Sequence, residues 1–317
     1  MDSPLDILAD IDGIILRRDI LATGGDDRAI ARALRSGEIV RVRNGAYANR
    51  ELWETYDDVT RYLVRVRVTY LASNTKVAVS HVSAALLWGA PMWRPQLDDV
   101  HLTRLDGKAG RRDAGVCQHR GALREGDLMT TAGMCVTSPT RTALDLSTVT
   151  RLEQSVPVMD HFLHTKQTTK RLLRTGASAM TYWADSLGTD MAVSFADKRR
   201  ESIGESCTAV MLRGSGRPMP EPQYKIYDEH GTLIARVDFA WPELGVFLEF
   251  DGKVKYQELL RDGEDVTDVV LREKKREELI CRLTGWRCIR IVWADLARPE
   301  ATRTYVVSVL DGGPVHV

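Results

Sequence analysis

The run from Val237 to Tyr256 holds three acidic side chains, Asp238, Glu249 and Asp251, in an otherwise apolar stretch, with Lys253 and Lys255 just beyond. A β-rich segment, a turn over Pro242 to Gly245 and a second apolar segment read as a β-hairpin. Side chains alternate across a strand, so Glu249 and Asp251 share one face while Leu248 and Phe250 take the other. Hairpin pairing brings Asp238, near the end of the first strand, beside Glu249 or Asp251. Three carboxylates at one end of an apolar sheet repel one another and lose hydration, an arrangement that a hard divalent cation, Mg2+ or Mn2+, relieves. A carboxylate trio with a neighbouring ammonium suits metal-assisted cleavage of a phosphodiester. The plainer reading is a set of solvated acids at strand ends.

A second set of charged residues lies near the amino terminus. From Arg28 to Arg50 there are six arginines and one acid, Glu38, whereas residues 1–27 carry seven acids and two arginines. The pattern predicts a helix from Leu5 that stops at Gly13, a second over Arg17 to Thr23, and a third capped by Asp26 or Asp27 and closed at Gly37. On the third, Ile30, Ala33 and Leu34 form the apolar stripe, and Arg28, Arg32 and Arg35 follow at i, i+4 and i+7. Ile39 to Arg43 alternates and carries Arg41 and Arg43, and Asn44-Gly45 supplies a tight turn into Ala46-Tyr47. This is the plan of a winged helix-turn-helix, with arginines for the major groove and a basic wing for phosphate on double-stranded DNA. A winged helix used only for protein contacts is the alternative.

The elements between these two sets say less. Residues 52–195 read as a connecting α/β domain, with helices over Tyr62 to Ala72, Ser80 to Gly89 and from Ser138, a strand over Val100 to Leu105, and a basic loop over Gly107 to Arg112. His81, His101, His119, His161 and His164 have no spacing that signals a metal site and read as structural or exposed. The basic stretch Thr165 to Arg174 reads as a solvated face, and Gly188 to Lys198 as a linker. Over 317 residues there is room for two or three cores. The formal net charge is zero, so the global balance does not announce a polyanion partner. Five scattered cysteines without a Cys-x-x-Cys pair argue against a disulfide framework and against a structural zinc site. An acidic amino terminus and the lack of an apolar run near ~18 residues predict a cytoplasmic protein without membrane spans.

Residues 198–296 resemble the PD-(D/E)XK nuclease superfamily, in its very-short-patch-repair-endonuclease-like branch. The resemblance rests on Gly204-Glu205-Ser206, on Arg236-Val237-Asp238, on Glu249-Phe250-Asp251-Gly252, and on a charged helix leading into Gly285-Trp286-Arg287. It implies a restriction-endonuclease-like αβββαβ domain over 198–317, with Glu205, Asp238, Glu249 and Asp251 as metal-site acids. The lysine that the superfamily's name implies two positions after the second acid is Asp251 here. Either Lys253, in an acid-x-Lys element, or Lys255, where this branch often has histidine, takes that role. Residues 37–48, Gly-Glu-Ile-Val-Arg-Val-Arg-Asn-Gly-Ala-Tyr-Ala, resemble the amino-terminal domain of AbiEi-like antitoxins of type IV toxin–antitoxin systems. The expected architecture is therefore an α/β (α+β) multidomain chain: a winged helix over 1–51, a connecting α/β domain over 52–195 that also looks like the domain following the winged helix in AbiEi-like chains, and the nuclease-like domain. The first functional expectation is a Mg2+-dependent DNA endonuclease acting in phage defence or a toxin–antitoxin context. The rival is a transcriptional regulator or antitoxin, with an inactive nuclease-like domain and a nucleotidyltransferase toxin as partner.

Overall fold

The computed structural model describes residues 13–180, 183, 186–252 and 266–315, without the side chains of 266–273. It is a mixed α/β, multidomain chain that divides into two compact units, one running to Ala90 and resuming over Arg94–Val149, the other comprising Pro91–Trp93 and everything from Thr150 onward. Helices that the sequence assigns to a connecting domain thus group with the carboxy-terminal elements. Lys253, Lys255 and the helix expected before Gly13 lie outside the described residues.

The first unit opens with β1 (Ile14–Leu16), α1 (Arg17–Ala22), α2 (Asp27–Ser36), β2 (Ile39–Arg43) and β3 (Ala46–Asn49), the strands forming an antiparallel sheet in the order β1-β3-β2. Strand β1 was not foreseen, and its composition explains it. Ile15 joins the core of the helix-turn-helix with Ile20, Ile30, Ala33, Ile39 and Tyr47. Ile14 and Leu16 point the other way, to Ala46, Val64 and Val68. A three-residue strand buried on both faces must be apolar throughout, and so gives no alternating signal.

Next come α3 (Arg50–Thr55) and α4 (Asp58–Leu71), the latter capped by Asp57, which accepts the Thr60 N–H at 2.7 Å. A six-stranded mixed sheet follows: β4 (Val77–Val79), α5 (His81–Leu87), β5 (Val100–Arg104), β6 (Arg111–Asp113), β7 (Val116–Arg120), β8 (Leu128–Thr131), β9 (Met134–Thr137) and α6 (Pro139–Ser147). Its strand order is β6-β7-β5-β4-β9-β8. Part of the expected basic loop at 107–112 is the edge strand β6, all three residues of which are exposed.

The second unit contains α7 (Leu152–His164), α8 (Lys170–Ser178), α9 (Ser186–Phe195), α10 (Ile203–Leu212), β10 (Glu221–Tyr227), β11 (Leu233–Trp241), β12 (Val246–Asp251), α11 (Val266–Thr284), β13 (Arg287–Val292), α12 (Trp293–Leu296) and α13 (Pro299–Leu310). The stretch expected as a linker at 188–198 is largely helix α9, because Thr189, Ala192 and Val193 are buried at helical spacing. Asp160 on α7 accepts from Ser206 Oγ and from the Asp197 N–H, both at 2.7 Å, and lies 3.1 Å from the Arg200 guanidinium. Burial pushes that carboxyl up to about 6, with Arg200 pulling the other way.

Strands β10-β11-β12-β13 form one sheet, antiparallel except for the parallel pair β12–β13, which α11 connects. The order α10, β10, β11, β12, α11, β13 is the helix, three strands, helix, strand expected from the sequence. Phe239, Trp241, Val246, Leu248, Ile289 and Ile291 pack toward α10 and α13. Phe247, Ala240 and Cys288 join Ile280 of α11 on the opposite face.

Gly204 sets how closely α10 approaches β12. A Cβ at this position would overlap the Phe250 ring, which is held edge-on against Trp293 at 4.7 Å. Alanine in a helix gains at most about 1 kcal/mol over glycine, whereas overpacking a formed core costs about 1–3 kcal/mol. Gly204→Ala is therefore expected to lower the free energy of unfolding in a urea titration. Unchanged or increased stability would mean that α10 does not rest on Phe250.

Candidate functional site

The helix-turn-helix is built around α2. Asp26 caps it by accepting the Ala29 N–H at 2.8 Å, and Gly37 closes it with φ +80°. Arg17 grips the Asp27 carboxylate through two hydrogen bonds, at 2.8 and 2.7 Å, which fixes α1 against the start of α2. That pairing holds the Asp27 carboxyl below its ordinary range. With Ile30 and Ala33 buried, Arg28, Arg32 and Arg35 project from the exposed side of the helix. The β2–β3 hairpin turns at Asn44-Gly45 and forms the wing, on which Arg41 is exposed and Arg43 half-buried. Among the described residues, none of these five arginines forms an ion pair. Arg50 differs: it donates to the Gly37 carbonyl at 2.6 Å and pairs with Glu54, so its cation is used within the fold. A solvated guanidinium that the protein does not neutralise is available to a phosphate.

The acidic residues are distributed differently. The ladder between β11 and β12 runs from Trp241↔Val246 to Phe239↔Leu248. Just past it, the Asp238 carboxylate accepts the Phe250 N–H at 2.9 Å. Glu249 and Asp251 lie on the α11 side of the sheet. Arg276 of α11 donates to Glu249 at 2.7 Å and to the Arg236 carbonyl at 2.7 Å. Arg290 of β13 lies 3.9 Å from Glu249 and 3.6 Å from Asp251, and donates to Glu277 at 2.7 Å. Two guanidinium groups thus thread the acids, so the protein's own cations supply much of the countercharge that a metal would.

Glu205 is buried on α10 and fully engaged. It accepts from Ser202 Oγ at 2.7 Å, Gln223 Nε2 at 2.8 Å and the Glu201 N–H at 3.1 Å, while Ser202 Oγ accepts the Glu205 N–H. This is the work of a helix-capping glutamate that also ties α10 to β10. The structure brings Asp238, Glu249 and Asp251 to one end of the sheet. Among the described residues, these acids do not form a group of three or more with ligand atoms close enough to share an ion.

With this geometry in place, the relatives can be compared. Residues 3–50 match the family model described as a transcriptional regulator, AbiEi antitoxin. The matched segment spans the helix-turn-helix and the wing. Two uncharacterized proteins of Mycobacterium tuberculosis, one from each of two strains, are each 28% identical to this chain over 174 residues. That alignment covers 54% of this chain and 59% of each relative. Among the described residues, no helix is long and apolar enough to cross a membrane.

One cluster escaped the sequence reading. His81, His101 and His119 come together in the first unit. They lie far apart in the chain, on three elements whose pairing no local pattern reveals.

Since Arg28, Arg32 and Arg35 are exposed and form no ion pair among the described residues, replacing them together with alanine is expected to leave the thermal unfolding of the full chain unchanged. Duplex DNA affinity should drop by at least about tenfold, given the roughly 0.9 log–log salt slope that each neutralised phosphate contributes. Gel-shift titration at matched salt measures this; parental affinity in the triple variant would remove α2 from the DNA interface.

Proposed function

We propose that this chain is a DNA-binding transcriptional regulator of the AbiEi antitoxin kind, which reads duplex DNA through α2 and braces the phosphate backbone with the β2–β3 wing. The observation that carries this reading is the set of five arginines on those two elements, none of which forms an ion pair among the described residues, within the segment matched by the regulator family model. A helix with one apolar face seated and arginines on the other enters a major groove, while the wing reaches the flanking backbone. A nucleotidyltransferase toxin is the partner that this reading assigns, and the regulated site is the DNA upstream of its own coding sequence.

A second reading, a Mg2+- or Mn2+-dependent DNA endonuclease, is favoured by one arrangement. Asp238 on β11 and Glu249 and Asp251 on β12 converge at one end of a sheet with the αβββαβ order. In that mechanism Asp238, Glu249 and Asp251 hold the ion, Glu205 assists, and Lys253 or Lys255 supplies positive charge. When bound, the ion would polarise the scissile phosphate and lower the pKa of a water. The Arg276–Glu249 pair and the capping role of Glu205 weigh against it, so we place the regulator first.

One experiment separates the two. Full-length protein is incubated with supercoiled plasmid carrying its own upstream region, with and without Mg2+ or Mn2+. The regulator reading expects a protected footprint in that region, repression of a reporter driven by it, and plasmid that stays supercoiled. Metal-dependent nicking that vanishes in Asp238→Ala would reverse the order. Failure to protect the upstream region over competitor DNA would contradict the regulator reading itself.

A further inference from the structure

The fold of the first unit gathers three imidazoles from elements that share no sequence pattern. The parallel register of β5 with β7 pairs His101 with Cys117 and Thr103 with His119, so His101 and His119 lie on one face of the sheet. His81, the first residue of α5, covers that face. Its ring stacks on His119 with centroids 3.6 Å apart and lies 5.8 Å from His101. His101 Nδ1 is 2.9 Å from His119 Nε2. One ring nitrogen from each of the three lies within 4.8 Å of the others. His81 is buried and the other two are half-buried.

Two features distinguish this cluster from ordinary packing. His81 sits at φ +52°, in the left-handed region, which is uncommon for a non-glycine residue although histidine enters it more often than most. It is held there by a 2.9 Å contact between its Nδ1 and Ser80 Oγ, which in turn accepts from Thr103 Oγ1 at 2.8 Å. Backbone strain of this kind persists where the surroundings fix a side chain in place. In addition, each imidazole keeps one ring nitrogen that makes no hydrogen bond among the described residues: Nε2 of His81, Nε2 of His101 and Nδ1 of His119.

Burial above all, with the neighbouring rings adding to it, holds His81 far below its ordinary pKa; burial brings His101 down to about 4 against the pull of Asp99, and burial with His101 brings His119 to about 4. Arg141, whose charge reaches His81, is neutralised by Asp127 and Asp145, each at 2.7 Å.

We infer that His81, His101 and His119 form a binding site for a divalent transition-metal ion, zinc foremost, with a fourth position open to water. Tetrahedral zinc at about 2.0–2.1 Å separates its ligand nitrogens by roughly 3.4 Å, and one ring nitrogen of each histidine already lies within 4.8 Å of the others. Three nitrogen donors suit zinc and not magnesium, which prefers oxygen. The ion would tie β5, β7 and the start of α5 together. This inference is independent of the acids in the second unit and of the DNA-binding reading.

The test uses the full-length chain, freed of any affinity tag, stripped with a chelator and titrated with Zn2+ alone, then with Co2+ as a coloured reporter. One equivalent of zinc per chain, retained through gel filtration, is expected, together with visible cobalt d–d bands and a raised melting temperature. Mg2+ should give none of these. Removing a partner one shell out from a metal typically costs about 10- to 100-fold in affinity, so His101→Gln and His119→Gln should each cost at least about 100-fold. His81→Asn, which retains a residue tolerant of positive φ, should do the same. Circular dichroism establishes that each variant is folded. Failure of the parent to bind stoichiometric zinc, an equal response to Mg2+, or parental affinity in folded His101→Gln and His119→Gln variants would each overturn the inference.

Discussion

Helix α4 is held from two directions, and much of the first unit depends on it. Val64 and Val68 pack against Ile14, Leu16 and Ala46 of the winged-helix sheet. From the other side of the helix, the Tyr62 hydroxyl meets Ser83 Oγ at 2.6 Å and the Asp99 carbonyl at 2.8 Å, while Arg65 donates to the Leu97 and Asp98 carbonyls at 3.0 and 2.6 Å. The DNA-reading module and the six-stranded sheet therefore share one buried helix. Ser83 also accepts the His101 N–H at 2.8 Å, so the strand carrying one of the three imidazoles is anchored to the same network. Buried and fully bonded polar groups of this kind fix a single arrangement.

Within that framework, the decisive contrast is where the protein spends its arginines. In the second unit Arg276 and Arg290 are committed to Glu249, Asp251 and Glu277, and Arg200 to Asp160. In the winged helix, five arginines form no ion pair among the described residues, and four of them are exposed. Exposed cations that no acid offsets add little to stability, since even paired surface charges contribute modestly. Their effect is on a polyanion. The acidic cluster has the opposite character, since a metal entering it would compete with guanidinium groups already in place.

The amino-terminal module was readable because its signals are local. Asp26 as a cap, Gly37 as a stop and Asn44-Gly45 as a turn each act within a few residues, and the helix, strand and wing boundaries follow from them. The carboxy-terminal order was readable for a similar reason, each strand being bounded by its own turn chemistry. What the sequence did not reveal depends on contacts between distant segments. Glu205 looks like a metal-site acid until Ser202 and Gln223 are seen to occupy it. Arg276 belongs, from the sequence, only to a charged helix, until α11 lies across the sheet and delivers it to Glu249. The imidazole cluster requires the β5–β7 register, which no pattern within either strand encodes. Strand β1 and helix α9 were missed for a further reason: burial on both faces in one case, and a short, weakly amphipathic segment in the other, blur the periodicity on which such readings rest.

The central claim, that duplex DNA meets the un-neutralised arginines of α2 and the wing, is tested most directly by the salt dependence of binding. Full-length protein is titrated with a duplex from its own upstream region at salt concentrations between about 50 and 200 mM, and log K is plotted against log salt. Three to five phosphate contacts at about 0.9 each predict a slope of roughly −2.7 to −4.5, which becomes shallower when Arg41 and Arg43 are both replaced by alanine. A slope shallower than that range in the parent, or one that the wing substitutions leave unchanged, would contradict the account.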